Sequence, residues 1–189
     1  MSIDSRDPRA ARSRAALYAA AVRLVSGRGS ASVPVTDLAE AAGVSRQLVY
    51  LHFADRDALL VAAALDLARR ELLPARESGR AAVLATARHF AAHRAFYRAL
   101  LTGPCAFALT TALGELLAPV NRHAVRALFG DRVPAGTVDD LAVFLTGGAG
   151  AVINAWLLGA EETLDPEDLA DRLGRILHTL GGLPPVREE

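Results

Sequence analysis

The segment Thr36–Phe53, TDLAEAAGVSRQLVYLHF, constrains the fold of this chain more than any other stretch. Its first part is rich in helix-forming residues and stops at Gly43, because glycine readily adopts the positive φ that ends a helix. Ser45 follows, and its hydroxyl can accept a hydrogen bond from the amide of residue 47 or 48 and so begin a second helix. The pattern predicts two short helices joined by a tight turn, the helix-turn-helix arrangement.

The second of these helices has one apolar side and one side free for other contacts. The positions expected to be buried are Leu48, Val49 and Phe53. The positions expected to face outward are Arg46, Gln47, Tyr50 and His52. This segment is therefore a candidate for binding in the major groove of DNA, where the first residues of such a helix meet base edges.

The order and spacing of these residues resemble the tetracycline-repressor-like (TetR) family of transcriptional regulators. The matching positions are Leu38-Ala39, Ala42-Gly43-Val44-Ser45, Tyr50, His52-Phe53, Arg56 and Ala58-Leu59-Leu60. The resemblance implies an all-α fold, in which an N-terminal three-helix head binds DNA and a larger helical body binds a ligand and dimerises. We accordingly expect a DNA-binding domain over residues 1–55, a connecting helix over 56–73 and a body over 74–189.

Individual DNA contacts are assigned by chemistry and by the resemblance. We expect Arg46 to read guanine, Gln47 to read adenine, and Leu48 or Leu51 to touch a thymine methyl group. Positions that match phosphate contacts of the resembled family are Thr36, Ser45, Tyr50, His52 and Arg56. The alternative for each is a solvated or packed side chain without a DNA contact.

Three positions depart from the pattern of the resembled family. Pro34 stands where a Thr is usual, Gln47 where a small residue is frequent, and Leu48 where Ser or Thr is frequent. The resemblance therefore carries no operator sequence over to this chain.

Charge is distributed unevenly, although the formal net charge is zero. Residues 1–70 hold ten Arg against seven Asp and Glu, whereas residues 131–189 hold four against eleven. The acidic C-terminal part is not expected to face DNA. The N-terminal arginines Arg6, Arg9, Arg12 and Arg14 either reach phosphates or form a solvated, disordered arm.

Helical spacing extends over the rest of the chain, without strand alternation. Asp7-Pro8 is expected to begin the first helix and Gly27–Gly29 to end it. Asp55 is expected to cap the helix from Arg56 to about Leu73. The further expected elements are one long helix from Glu77 to Leu101, a break at Thr102-Gly103-Pro104, a helix from Cys105 to Phe129 that is either continuous or divided near Pro119, and a loop from Gly130 to Gly136.

The stretch Leu141–Ala160 contains no charged residue and is long enough to span a bilayer. Its flanks are acidic on both sides, which disfavours a membrane span, and a helix that is apolar all round can instead be buried on both sides. The last helix begins at Asp165-Pro166-Glu167 and has a leucine-rich stripe. These two helices are expected to form a four-helix interface in a homodimer, through Gly147, Gly148, Val152, Leu169, Leu173, Ile176 and Leu180.

The resemblance also implies a small-molecule effector, which we expect to be largely apolar, bound among the helices of the body. The candidate lining residues are Phe90, His93, Tyr97, Phe107, Asn121 and Trp156. The alternative for each is an ordinary core residue, because apolar residues at helical spacing are usually core.

Metal, cofactor and catalytic chemistry are not expected. His89 and His93 are one helical turn apart, as metal ligands can be, but no nearby carboxylate or cysteine in the sequence completes a set. Cys105 has no obvious histidine partner, and no glycine-rich phosphate loop follows a strand. A single cysteine and a polar first fifteen residues without a signal peptide's apolar stretch favour a cytoplasmic protein.

The sequence as a whole therefore predicts a homodimeric repressor that binds a palindromic operator in double-stranded DNA and is released by a small molecule. Two alternatives remain open. One is an architectural DNA-binding protein without a ligand cavity, and the other is a membrane-anchored helical protein.

Overall fold

The computed structural model describes residues 8–74, 78–130, 133–160 and 164–181, and over these ranges the chain contains helices and turns but no strand. The all-α prediction is confirmed. The helices are α1 (Pro8–Arg28), α2 (Val35–Ala41), α3 (Arg46–His52), α4 (Arg56–Leu72), α5 (Gly79–Ala92), α6 (Arg94–Leu101), α7 (Ala106–Phe129), α8 (Ala135–Leu158) and α9 (Pro166–Gly181).

The helices group into two compact units. The first unit covers Met1–Glu71 and His93–Leu113, and the second covers Leu72–Ala92 and Gly114–Glu189. The first unit thus joins α1 to α3 and nearly all of α4 with α6 and the start of α7. This grouping by packing differs from the expected functional domains, 1–55 and 74–189 with a connecting helix over 56–73, which stay a prediction.

The core of the first unit forms where α1 packs against α2 and α6. Leu17 and Val25 of α1, Leu38 of α2 and Phe96 of α6 are all fully buried. These side chains recur at helical spacing within their own segments, so each helix has one apolar face to contribute.

The start of α4 follows the expected cap. The Ala58 amide donates to Asp55 Oδ1 at 2.7 Å, so the carboxylate satisfies one of the free amides at the beginning of the helix. Leucines and alanines at helical spacing along α4 are buried, among them Leu59, Leu60, Ala63, Ala64 and Leu67.

The prediction of one long helix from Glu77 to Leu101 is wrong. The chain forms α5 and α6, and the junction residue His93 has φ −108° and ψ 23°, outside the helical range. The reason is that the two helices bury their apolar faces in different places. α5 packs in the second unit against α9, and α6 packs in the first unit against α1.

In the second unit, α5, α8 and α9 pack together, and exposed ion pairs connect α5 to α9. Arg80 contacts Glu167 and Asp171, each at 2.8 Å, and Arg88 contacts Glu167 at 3.0 Å. Asp165 caps α9, because its Oδ1 accepts from the Glu167 amide at 2.9 Å. The predicted start of the last helix is confirmed.

Among the described residues, two polar contacts join α7 to α8, one between Asn121 and Thr146 and one between Arg122 and Asp139. Asn121 Nδ2 donates to Thr146 Oγ1 at 2.7 Å, and Thr146 Oγ1 donates to the Ala142 carbonyl at 2.6 Å. Arg122 pairs with Asp139 at 2.6 Å. The side chains of Val125, Val138 and Ala142 form the apolar cluster beside these contacts.

The structure also shows whether α7 is continuous and where α8 begins. α7 is continuous through Pro119, so the undivided alternative is right. The loop expected over Gly130–Gly136 is too long, because α8 begins at Ala135. Pro134 stands before it with extended backbone, and its carbonyl accepts from the amides of Thr137 and Val138, so the helix starts two residues earlier than expected.

α8 is the apolar helix expected from the charge-free stretch. Among the described residues it is the one helix long and apolar enough to cross a membrane, with a mean hydropathy of 1.8 over its most apolar window, of which 28% is buried. Val143 and Phe144 are 66% and 62% exposed. One side of this helix is therefore uncovered in the single chain, and its burial against a second subunit stays a prediction.

Candidate nucleic-acid interface

The turn between α2 and α3 is built on Gly43. Its φ is +67°, in the left-handed region that favours glycine. The Gly43 amide donates to the Glu40 carbonyl at 3.0 Å, and the Val44 amide donates to the Ala39 carbonyl at 2.9 Å. These two bonds are the Schellman arrangement, which satisfies the last carbonyls of α2 and reverses the chain direction.

α3 begins at the expected cap. Ser45 has extended backbone, and its Oγ accepts from the Leu48 amide at 3.2 Å. Val49 is fully buried and Phe53 is 9% exposed, with the Phe53 ring edge-on to Tyr18 of α1 at a centroid distance of 5.9 Å. These contacts hold the inner side of α3 against the first unit and fix which residues point outward.

The outward side of α3 contains most of the residues assigned to DNA. Arg46 and Gln47 are exposed in its first turn, and Tyr50 and Leu51 are each 58% exposed. Leu48 is half-buried. A long cation, an amide and two large side chains exposed together on two helical turns form a surface suited to base edges and phosphates.

His52 faces outward less than expected. Its ring lies edge-on to Phe53 at 6.2 Å. Nε2 is buried and has no hydrogen-bond partner among the described residues. The atom of His52 that could reach a phosphate is therefore Nδ1.

The other two positions assigned to phosphates have polar neighbours of their own. The Thr36 hydroxyl donates to Asp37 Oδ1 at 3.2 Å. Arg56 Nε donates to Asp57 Oδ1 at 2.9 Å. A phosphate at either position would compete with an acidic side chain that is already present.

Three of the four N-terminal arginines belong to the described part of α1. Arg9, Arg12 and Arg14 lie in the first two turns of α1, so the disordered-arm alternative is wrong for them. Arg12 Nε donates to the Pro8 carbonyl at 3.2 Å. Arg6 lies outside the described residues.

The start of α2 shows the effect of the departure at Pro34. Pro34 takes the N-cap position with no side-chain cap bond. Ser32 uses its amide to donate to Ser30 Oγ at 3.1 Å, and the Thr36 hydroxyl is directed to Asp37. α2 therefore begins without a capping hydroxyl.

The predicted effector-binding residues are distributed over both units. His93, Tyr97 and Phe107 belong to the first unit, and Phe90, Asn121 and Trp156 belong to the second. Tyr97 is fully buried, its hydroxyl donates to the Ala64 carbonyl at 3.5 Å, and burial raises its pKa well above the ordinary value. Phe107 is 83% exposed, and Phe90 and Trp156 are buried.

The expectation that no carboxylate lies near the two histidines is wrong for His93. His93 Nε2 is 3.0 and 3.1 Å from the two carboxylate oxygens of Glu71, at the end of α4. This pair could not be predicted from local spacing because the two residues are 22 positions apart. His89 is buried in the second unit with its ring edge-on to Phe90.

Two open hollows on the described part of the surface are lined, among the described residues, by none of those predicted to bind the effector. One, of about 490 Å³, lies in the first unit along α4 and the start of α7; its lining includes Asp57, Val61, Leu65, Pro104 and Cys105. The other, of about 420 Å³, lies along α9 and is lined by Arg172, Arg175, Ile176, Thr179 and Leu180. The second hollow contains Ile176 and Leu180, which are predicted for the dimer interface.

The residues predicted for the dimer interface separate into two groups. Leu169 is fully buried and Leu173 is 8% exposed, so within one chain both belong to the core of the second unit. Gly147, Gly148 and Ile176 are exposed, and Val152 and Leu180 are half-buried. Val143 and Phe144 were not predicted for this interface, although two large apolar residues one helical turn before Gly147 in a charge-free helix were a usable signal.

A helix-turn-helix whose second helix, α3, is exposed on one side, in a chain that is all-helical over its described residues, is typical of DNA-binding transcriptional regulators. Residues 13–63 match the family model described as bacterial regulatory proteins, tetR family. The predicted resemblance is confirmed. No curated protein matches the chain in sequence.

Solved structures share the fold over nearly the whole chain. AlkX, a TetR family repressor from Dietzia sp. strain DQ12-45-1b implicated in biodegradation of n-alkanes, is 23% identical, with 93% of this chain and 96% of that chain covered and a TM-score of 0.58. The dihydroxyacetone kinase operon activator DhaS is 14% identical, with 89% and 95% covered and a TM-score of 0.65. The fatty acid degradation regulator FadR from Bacillus halodurans is 19% identical, with 90% and 99% covered and a TM-score of 0.55.

Proposed function

We propose that this chain is a ligand-responsive transcriptional repressor that binds a palindromic operator as a homodimer and is released by a small, largely apolar molecule. The observation that carries the DNA-binding part is the outward side of α3. Arg46 and Gln47 are exposed in its first turn, while Val49 on the opposite side is fully buried. Fixed on one side and free on the other, such a helix can enter the major groove.

The homodimer is supported by the uncovered apolar surface of α8 and α9. Phe144 and Val143 on α8 and Ile176 on α9 are all exposed in the single chain. Exposed apolar residues that cluster on adjacent helices mark an interaction surface. A second copy would cover them, and the exposed Gly147 and Gly148 would let its helices approach closely.

The apolar effector is supported by the kind of relatives that share the fold. AlkX is implicated in biodegradation of n-alkanes and FadR in fatty acid degradation. We therefore propose molecules with a long hydrocarbon chain as the first class of effector to test. Binding among the helices of the body would shift the helix over 56–73 and change the spacing of two heads whose half-site distance is set by DNA geometry.

The proposed site of action is the cytoplasm, where the chain would find DNA. The experiment that tests the DNA-binding part is selection of bound fragments from the source genome by the purified full chain. We expect enrichment of a palindrome whose half-sites lie about one helical turn or a multiple of it apart. Fragments no more enriched than a random-sequence control would contradict a sequence-specific regulator.

The experiment that tests the effector part is a thermal unfolding screen with fatty acids and alkanes of increasing chain length. A ligand that binds only the folded protein raises the melting temperature. We expect the ligands that raise it also to release the protein from the selected operator. Stabilisation without release would favour a regulator that stays on DNA, and an absence of both over the whole panel would favour the architectural alternative.

A further inference from the structure

The short helix α2 is held at both of its ends by arginines of α1. Arg28, the last residue of α1, pairs through Nη2 with Asp37 Oδ2 at 2.6 Å. Arg23, further back on α1, donates from Nη2 to the carbonyl of Ala41, the last residue of α2, at 3.4 Å. We propose that Arg28, acting through Asp37, and Arg23 are positioning residues for DNA recognition, which orient the helix-turn-helix without touching DNA.

The Arg28 contact is the stronger of the two. Asp37 accepts both from Arg28 and, through Oδ1, from the Thr36 hydroxyl at 3.2 Å. The hydrogen bond from Arg28 holds the pKa of Asp37 below its ordinary value, because the contact favours the charged carboxylate. A charged, directional contact of this length fixes the first turn of α2 relative to the end of α1.

The Arg23 contact holds the other end of α2. The last carbonyls of a helix have no partner within the helix, and a cation there interacts favourably with them. At 3.4 Å this hydrogen bond is longer and weaker than the ion pair. We therefore expect Arg23 to contribute less than Arg28.

α2 needs such contacts because little else fixes its direction. It has seven residues, its buried side chains are Leu38 and Ala39, and Pro34 gives it no side-chain cap. A helix of two turns has little stability of its own. The two buried residues fix how deep α2 lies, whereas contacts at its ends fix its tilt.

The tilt of α2 reaches the recognition helix through a rigid connection. Only residues 42–45 separate α2 from α3, and the Schellman bonds at Gly43 and Val44 together with the Ser45 cap order that turn. A rotation of α2 would therefore displace Arg46 and Gln47. A displacement on the order of 1 Å is enough to break bidentate contacts to base edges.

The competing interpretation is that Arg28 itself binds a phosphate, since its side chain is 44% exposed. The two interpretations differ in the role of Asp37. If Arg28 acts through Asp37, removal of either partner has the same effect. If Arg28 binds phosphate, removal of Asp37 leaves binding unchanged or strengthens it, because a negative charge next to the DNA disappears.

The test compares Arg28→Ala, Asp37→Asn, the double variant and Arg23→Ala in the full chain. Arg70→Ala is the matched control, because Arg70 also pairs with an aspartate, Asp66 at 2.8 Å, but on α4. The probes are the operator duplex from the genomic selection and a random-sequence duplex of equal length. Affinities are measured over a series of salt concentrations, with each melting temperature recorded.

We expect Arg28→Ala and Asp37→Asn each to weaken operator binding up to about fivefold, and the double variant to bind no more weakly than either one. Random-duplex binding and the salt slope should stay at wild-type values, and Arg23→Ala should show the same pattern with a smaller loss. Arg70→Ala should change neither affinity by more than about twofold. This set of results would support positioning.

Three outcomes would overturn the inference. Equal losses on both duplexes with a salt slope reduced by about one would show that Arg28 binds phosphate. A lower melting temperature with unchanged operator affinity of the folded protein would show a purely structural pair. A loss for Arg28→Ala no larger than for Arg70→Ala would show an effect of overall charge alone.

The inference rests on sequence-specific binding as proposed above, but the two fail separately. Without an enriched operator, the proposed function fails before any variant is made. If Arg28→Ala does not fold, Asp37→Asn gives the same test on its own, since asparagine keeps the size of the side chain and an oxygen that can accept from Thr36. An unchanged operator affinity for Asp37→Asn would then overturn the inference.

Discussion

At the scale of single residues, Ser45 and Arg46 at the start of α3 have different roles. The Ser45 hydroxyl accepts a hydrogen bond from the Leu48 amide, and the Arg46 side chain is exposed. Ser45 has extended backbone and caps α3, and Arg46 is the first residue of that helix. Arg46 therefore has its position set by a residue that needs no DNA contact of its own.

Arg46→Ala is expected to weaken binding to the selected operator by about 10- to 100-fold, because a bidentate arginine contact to guanine discriminates by roughly 1–3 kcal/mol. Binding to random-sequence duplex should weaken far less. Titration of both duplexes with wild-type protein, the variant and the control Arg70→Ala measures the difference. Equal losses on both duplexes would contradict base reading by Arg46.

Gly43→Ala and Gly27→Ala are the same substitution with opposite expected effects on the free energy of unfolding. Neither added methyl group meets another atom within 4 Å, so sterics cancel from the comparison. Gly43 has φ +67°, where a side chain costs roughly 1–2 kcal/mol. Gly27 lies in α1 without a positive φ, and alanine should add up to about 1 kcal/mol there.

Chemical denaturation of both glycine variants checks this prediction. Gly43→Ala should unfold at lower denaturant concentration than the wild type and Gly27→Ala at the same or a higher one. A destabilised Gly27→Ala together with a neutral Gly43→Ala would refute the backbone explanation of the turn.

Single residues were also where the sequence was most informative. The caps at Ser45 and Asp55, the start of the last helix at Asp165-Pro166-Glu167 and the turn at Gly43 are confirmed. Each signal acts over three or four positions, so it needs no knowledge of distant parts of the chain. Contacts such as His93 with Glu71 depend on the fold and were beyond the sequence.

At the scale of helices, polar contacts determine how α7 and α8 pair. Thr146 is 9% exposed and connects Asn121 of α7 with the Ala142 carbonyl of its own helix. The donor of the bond between the helices, Asn121 Nδ2, lies on α7 and the acceptor, Thr146 Oγ1, lies on α8, so the bond fixes how the two helices are aligned along their length. Apolar packing alone is less selective in this respect.

Thr146→Val is expected to destabilise the protein by about 1–2 kcal/mol, since it leaves the Asn121 amide without its partner at nearly constant side-chain volume. Thr110→Val is the matched control, because the exposed Thr110 hydroxyl donates only to carbonyls of its own helix, at 3.0 and 3.1 Å. The control should change stability by less than about 0.5 kcal/mol. Thermal unfolding of both variants measures the two effects, and equal losses would count against the Asn121 contact.

Helix boundaries were less accessible from the sequence than caps. The spacing from Val83 to Leu101 is compatible with a single apolar face, and it continues through His93 without a glycine or proline. The break arises because α5 and α6 are buried in different units. Periodicity shows that a face is covered, but it does not show by which part of the chain.

At the scale of the whole molecule, the same ambiguity affects the assignment of the dimer interface. Leu169 and Leu173 have the spacing of an interface stripe but lie in the core of their own unit. Ile176, one turn further along α9, is 44% exposed. A single amphipathic helix thus contributes to its own core at one end and leaves apolar surface uncovered at the other.

Ile176→Asp is expected to shift the protein from dimer to monomer at micromolar concentration, because a buried, unpaired carboxylate opposes association. Phe107→Asp is the control, since Phe107 is 83% exposed in the first unit, away from α9 in the chain. Static light scattering gives the mass of each. A monomeric wild type, or a dimeric Ile176→Asp variant, would contradict this assignment.

The exposed apolar side of α8 is also compatible with the alternative of a membrane-anchored protein, which cell fractionation tests. We expect the wild-type protein in the soluble fraction of lysed cells, and Phe144→Asp to remain there as a less dimeric species. Recovery of the wild type in the membrane fraction, with release by detergent alone, would favour the alternative, because a helix of this length and hydropathy can span a bilayer.

Cys105 makes the proposed change in head spacing directly measurable. The thiol is 2% exposed, and burial raises its pKa, so a maleimide reagent at neutral pH should leave it unmodified. It is also the only cysteine in the sequence. A spin label attached to Glu40→Cys, an exposed position on α2, would therefore give one label per chain and a single distance across a dimer, without prior removal of native cysteines.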